Sequence, residues 1–148
     1  MQSIMWNPSK KRVENSQMAQ FIKYVNNNCE LEIENYSQLY RWSIERAEDF
    51  WAELWDFSQI IYHSPYDLIV DDIKKMPGAN WFQGSTLNFA ENLLRYKDDQ
   101  IAIRFCREDG TRSHLSYNDL NRQVAGLVSA LKKQGIKNTH VVKKLVLV

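Results

Sequence analysis

The feature that most constrains this chain is a run of aromatic and aliphatic residues at helical spacing. Between Ser37 and Phe57, the residues Tyr40, Ile44, Ala47, Trp51, Leu54 and Trp55 recur along one face of a helix. Leu39, Trp42, Phe50 and Phe57 widen that apolar surface, while Glu45, Arg46, Glu48 and Asp49 lie mostly off it. A helix with so much aromatic area must pack against something large. The spacing therefore predicts a core and inter-domain packing helix, with an aromatic ligand box as the lesser alternative. Five Trp, seven Tyr and six Phe in 148 residues fit a chain built on ring packing. At this length a globular chain buries roughly 68–70% of its unfolded surface, enough for one ordinary core.

The other elements read from local signals. The first fifteen residues look like an extended arm. Ser16 caps a helix to about Asn26, with Met18, Phe21, Ile22 and Val25 on one face. Asn26-Asn27-Asn28 should end it, because Asn competes for backbone hydrogen bonds. Ser58 to Thr86 reads as a long irregular stretch, with turns at Ser64-Pro65-Tyr66 and Met76-Pro77-Gly78. Asn88 and Glu91 fit a capping box for a short helix, Phe89 to Leu94. Ile101 to Phe105 reads as a strand, Asp109-Gly110 as a hairpin turn, and Arg112 to Leu115 as the return strand. Ser116 caps a further helix whose buried face is Leu120, Val124, Leu127, Val128 and Leu131, with Gly135 as its stop. Thr139 to Val148 reads as a last strand. The expected class is α+β, or an incomplete α/β fold. Residues 1–95 form a helical and loop region, and 96–148 open a second, layered domain. One parallel strand without neighbours cannot hide its edges. That predicts a truncated domain that self-associates through Leu145-Val146-Leu147-Val148, with Lys143-Lys144 as partial protection.

Several function classes fall away. Nineteen Lys+Arg against eighteen Asp+Glu leave a net charge of +1, without the basic excess of a nucleic-acid binder. Lys10-Lys11-Arg12 reads as a solvated arm, and Lys132-Lys133 as the favourable end of a helix dipole. No stretch approaches the roughly 20 apolar residues that span a bilayer, and the start carries no secretory signal. Cys29 and Cys106 stand far apart, which suits a reducing compartment and predicts the cytosol. His63, His114 and His140 share no ligand spacing. Asp71-Asp72 and Asp98-Asp99 are neighbours that point apart, and read as solvated turns. No glycine-rich phosphate loop occurs. Spacing alone names no reaction, and no residue takes a catalytic, cofactor-binding or metal-ligating role.

A resemblance goes further. The run Pro77-Gly78-Ala79-Asn80-Trp81-Phe82-Gln83-Gly84-Ser85-Thr86-Leu87-Asn88 resembles the N-terminal region of the adenylate-forming acyl-CoA synthetases. Its continuation, Phe89-Ala90-Glu91-Asn92-Leu93-Leu94, resembles the acetoacetyl branch of that family. Trp6-Asn7-Pro8-Ser9 and Phe50-Trp51-Ala52-Glu53-Leu54-Trp55 resemble the same branch. Leu115-Ser116-Tyr117-Asn118-Asp119-Leu120 is similar to the opening of the family's AMP-binding domain. The likeness covers about residues 5 to 142. After Gly135-Ile136-Lys137 it loosens, and Lys143 to Val148 does not match.

The resemblance implies a ligase. ATP and acetoacetate would form an acyl-adenylate with release of pyrophosphate, and the CoA thiol would displace AMP. It implies ATP, Mg and CoA for a full-length member, acting in lipid and ketone-body metabolism. The family's phosphate loop, adenine-site motifs and catalytic lysine lie downstream of these residues. None is carried over, so this chain is expected to bind no cofactor and to be inactive alone. Two alternatives remain open: a free-standing helical interaction module, and part of an acetyl- or propionyl-CoA synthetase.

Overall fold

The computed structural model describes residues 5–136. The chain divides into two compact units, Met1–Asn88 and Phe89–Val148.

The first unit begins with a short helix, α1 (Lys10–Glu14), where an extended arm was expected. Ser9 caps it, its hydroxyl accepting from the Arg12 N–H at 3.3 Å. The cap acts without any apolar stripe, which is why periodicity does not reveal this helix. Helix α2 (Gln17–Cys29) is capped by Ser16 as expected, its Oγ accepting from Ala19 N at 3.2 Å. It does not stop at the asparagines but runs through them, and Glu30 ends it at φ 52°. The half-buried Asn26 carboxamide meets the chain beyond the helix. Its Nδ2 donates to Ile33 O and its Oδ1 accepts from Ile33 N, each at 2.9 Å. Asn28 Nδ2 donates to Glu53 at 3.1 Å.

The single long helix expected over residues 37–57 is two helices, α3 (Tyr36–Glu45) and α4 (Ala47–Phe57). Arg46 separates them at φ −128°, ψ 53°. The physical reason is the position of its charge. Arg46 is i+4 from Trp42 and i−4 from Phe50, so an unbroken helix would place it inside the buried stripe. The turn leaves it exposed and paired with Asp49 at 2.5 Å. The core draws mainly on the residues that widen the expected stripe, with Leu54 from the stripe itself, while Trp51 and Trp55 of that stripe pack on Trp81 and Phe82. Leu39, Trp42, Phe50, Leu54 and Phe57 pack with Phe21, Val25 and Ile33, whereas Tyr40 and Ile44 are exposed.

Residues 58–86 are less irregular than expected. Strands β1 (Leu68–Val70) and β2 (Trp81–Gln83) pair antiparallel, Leu68 with Gln83 and Val70 with Trp81. Ser64 bridges to Thr86. The Pro77-Gly78 turn lies within the connection between the strands. Three-residue strands are too short to show an alternating pattern.

The second unit holds α5 (Phe89–Leu93), the hairpin β3 (Ile101–Cys106) and β4 (Arg112–Ser116), and α6 (Tyr117–Lys133). All four stand where the sequence places them. Gly110 turns the hairpin at φ 84° and Gly135 follows α6 at φ 78°. Ser116 Oγ accepts from Asp119 N at 3.1 Å and donates to Asp119 Oδ2 at 2.8 Å. The face expected to be buried on α6 is not. Leu120, Val124 and Leu131 are half-buried, and Leu127 is 60% exposed. Among the described residues of this unit no apolar side chain is buried, because a hairpin and two helices, one of five residues, enclose too little volume. The strand expected over Thr139–Val148 lies outside the described residues. The architecture is mixed helix and small sheets, and both described sheets are antiparallel pairs.

Candidate functional site

Three features of the first unit stand out chemically. The first is an open groove of about 390 Å³ between α2, α3 and α4. Phe21, Leu39, Tyr40, Phe50, Leu54 and Phe57 line it, and Tyr36 stacks on Tyr40 at 6.1 Å along the rim. Gln17, Ser43 and the two tyrosines are the residues with polar side-chain atoms in a lining that is otherwise apolar. Such a groove accepts apolar surface but offers no acid, base or nucleophile.

The second is an aromatic layer joining α4 to the β1–β2 pair. Trp55 lies 4.6 Å from Phe82, 5.6 Å from Tyr66 and 5.9 Å from Tyr62, and Trp51 lies 5.8 Å from Trp81. Burial pushes the Tyr66 phenol up from its usual range. The Trp81-Phe82-Gln83-Gly84 motif therefore packs rather than reacts. Gly84 sits at φ 85°, and a Cβ there would overlap the Asp67 carboxylate, so only glycine fits.

The third is a clasp at Asp71. Its carboxylate accepts from Asn80 N, Asn80 Nδ2 and Lys75 Nζ, each at 2.9 Å, and from Asp72 N at 2.7 Å. The backbone donor of Asn80 first, then Lys75 and the Asn80 side chain, hold this carboxyl well below the usual carboxylate range. A carboxyl depressed by folding contributes stability above its unfolded pKa and loses it as pH falls through the folded value. The Asn80 amide should therefore stay protected from hydrogen exchange below the pH at which ordinary carboxylates protonate. Asp71→Asn should strip that protection at every pH. An Asn80 amide in the native chain that deprotects within the ordinary carboxylate range would contradict this.

The sequence candidates find structural places. His63 N donates to Thr86 O at 2.7 Å, at the edge of the β1–β2 region. His114 lies on β4 and His140 outside the described residues. Asp98 accepts from Gln100 N at 3.0 Å, and Asp99 from Asn118 Nδ2 at 3.5 Å, so this pair shapes the entry to α6. Lys10, Lys11 and Arg12 lie in α1, and the Arg12 guanidinium sits 5.6 Å from the Trp6 ring centre. Cys29 and Cys106 are free thiols, and burial raises the Cys29 pKa. Among the described residues no three His, Cys, Asp or Glu converge to hold a metal ion. No described helix is long and apolar enough to cross a membrane. The Asp71–Asn80 clasp was missed by sequence reading. Its signal was an acidic residue and an Asn flanking a Pro-Gly turn.

Known proteins resemble the chain over most of its length. Residues 36–93 match the family described as the acetyl-coenzyme A synthetase N-terminus. Those residues run from α3 through the aromatic layer to α5. The chain is similar to a segment of acetoacetyl-CoA synthetases. It is 42% identical to the acetoacetyl-CoA synthetase of Macaca fascicularis and 43% identical to that of Xenopus tropicalis. Each match takes in 137 residues, 90% of this chain and 20% of the relative. It is 34% identical over 138 residues to a malonamoyl-CoA synthetase of Penicillium aethiopicum. The acetoacetyl-CoA synthetase of Streptomyces lividans superposes with a TM-score of 0.75 at 29% identity, over 89% of this chain and 21% of that one. The chain thus spans about a fifth of the length of these relatives.

Proposed function

We propose that the chain contributes the N-terminal part of an acid–thiol ligase acting on acetoacetate in the cytosol. In that reaction ATP and acetoacetate give an acyl-adenylate and pyrophosphate, and the CoA thiol displaces AMP. The observation that carries the reading is the 42% identity over 137 residues to an acetoacetyl-CoA synthetase. The malonamoyl-CoA relative favours a broader statement as well: similar N-terminal segments serve different acyl groups, so the acid is chosen elsewhere. The described residues do not fit a nucleotide–Mg site. The Asp71 carboxylate already accepts from four donors, and no acidic cluster accompanies it. The contribution of the described residues is to pack: the aromatic layer and the Asp71 clasp fix the Trp81–Gly84 segment.

Two measurements test the reading. The chain alone should release no pyrophosphate from ATP above background when given acetoacetate. A chimera carrying residues 5–136 in place of the matched part of the Streptomyces lividans enzyme should form AMP with acetoacetate and CoA, and less with acetate. Pyrophosphate release by the chain alone would overturn the first expectation. A soluble, folded chimera without ligase activity would overturn the second, and would favour the helical interaction module suggested by the open groove between α2, α3 and α4.

A further inference from the structure

The β3–β4 hairpin has two unlike faces. Directly opposed residues of an antiparallel pair share a face, as do residues two apart on one strand. Arg104 pairs with His114 and Cys106 with Arg112, so these four side chains share one face. Ile103 opposite Leu115, and Phe105 opposite Ser113, take the other. The first face is exposed, and its four residues, with Phe105 and Ser113, line a cleft of about 280 Å³. Among the described residues neither Arg104 nor Arg112 has a carboxylate within salt-bridge distance, whereas Arg46, Arg107 and Arg122 each have one. The acids nearest in sequence, Glu108 and Asp109, lie in the hairpin turn. There Asp109 accepts from Thr111 N at 2.9 Å and faces Arg107.

Two arginines at diagonal positions of a strand pair stand about 7–8 Å apart, within reach of long side chains. Their forks can therefore meet on one ligand. Like charges held together without a counter-charge raise the local potential, and an anion relieves it. The guanidinium fork matches phosphate oxygens two at a time. His114, opposite Arg104 and beside Arg112, adds a third donor. The apolar face of Ile103, Phe105 and Leu115 can rest on protein while the cationic face stays open to solvent.

We propose that Arg104, Arg112 and His114 form a binding site for a phosphate-bearing anion. Two forks address two phosphate groups better than one, so pyrophosphate binds more tightly than monophosphate. This site does not depend on the ligase reading. Equilibrium dialysis of the 148-residue chain against labelled pyrophosphate, with inorganic phosphate as competitor, tests it. The expected result is one pyrophosphate per chain. Arg104→Gln and Arg112→Gln should each weaken binding about tenfold, the loss of one charge-assisted pair. Arg104→Lys, which keeps the charge and loses the fork, should weaken it less than Arg104→Gln. Arg41→Gln, an exposed arginine on α3, should leave it unchanged. No binding, or binding unaltered in the double Arg104→Gln/Arg112→Gln variant, would overturn the proposal. So would an equal loss in Arg41→Gln, which would mean diffuse attraction by net charge. Circular dichroism of each variant separates a lost site from a lost fold.

Discussion

Replacing Phe21 with Ala should destabilise the first unit by about 3–5 kcal/mol, the usual range for deleting a buried aromatic ring. Phe21 is 5% exposed, and its ring lies 5.1 Å from Phe57, 5.8 Å from Phe50 and 6.4 Å from Tyr24. It therefore joins α2 to α4. The surroundings cannot collapse freely into the cavity. Asn26 ties α2 to Ile33, and Asn28 ties it to Glu53 on α4. Set against a typical domain stability of about 5–15 kcal/mol, the loss is large enough to leave part of the population unfolded. Urea unfolding followed by tryptophan fluorescence reads it, since Trp42 packs on the same cluster. Tyr40→Ala, on the exposed rim, should change stability little. A Phe21→Ala midpoint equal to that of Tyr40→Ala would show that the cluster is not the source of stability.

The chain should self-associate in solution. The second unit exposes Leu127, Val128, Ile103 and Phe105 and buries no apolar side chain among its described residues. Each large apolar group left in water forgoes about 1.5–3 kcal/mol, so a partner that covers several of them gains much. A Leu127→Glu/Val128→Lys double variant should raise the monomer fraction strongly while leaving helix content intact. Size-exclusion chromatography with light scattering reads both. A clean monomer from the native chain at micromolar concentration would refute the expectation.

The sequence was most legible where one local signal decides an element. Ser16 and Ser116 announced their helices because a hydroxyl cap needs only its own first turn. Asp109-Gly110 announced its hairpin because the turn demands a positive φ. Legibility failed where distant residues decide. Nothing within residues 37–57 says which of two apolar stripes faces the core. That depends on Phe21 and Val25, and on keeping the Arg46 charge in water. The asparagines of α2 read as breakers because the partner of Asn26, Ile33, lies beyond the helix end. The β1–β2 pair is held by the Asp71 clasp and by Trp55 packing on Phe82, neither of which leaves a periodic mark. As for the site, Trp81 to Gly84 read as part of an irregular stretch, and its packing on Trp51 and Trp55 needed the folded chain, as the alignment of Arg104 and Arg112 needed the strand register.

The buried cluster of the first unit draws every member from one uninterrupted stretch, Phe21 to Phe57. Its contacts are local along the chain, between helices joined by short turns, and closing them requires only small loops. Domains fold as units during synthesis, N-terminal part first. No member comes from β1 or β2, so the cluster can close without the strands and offers the aromatic layer a surface to pack on.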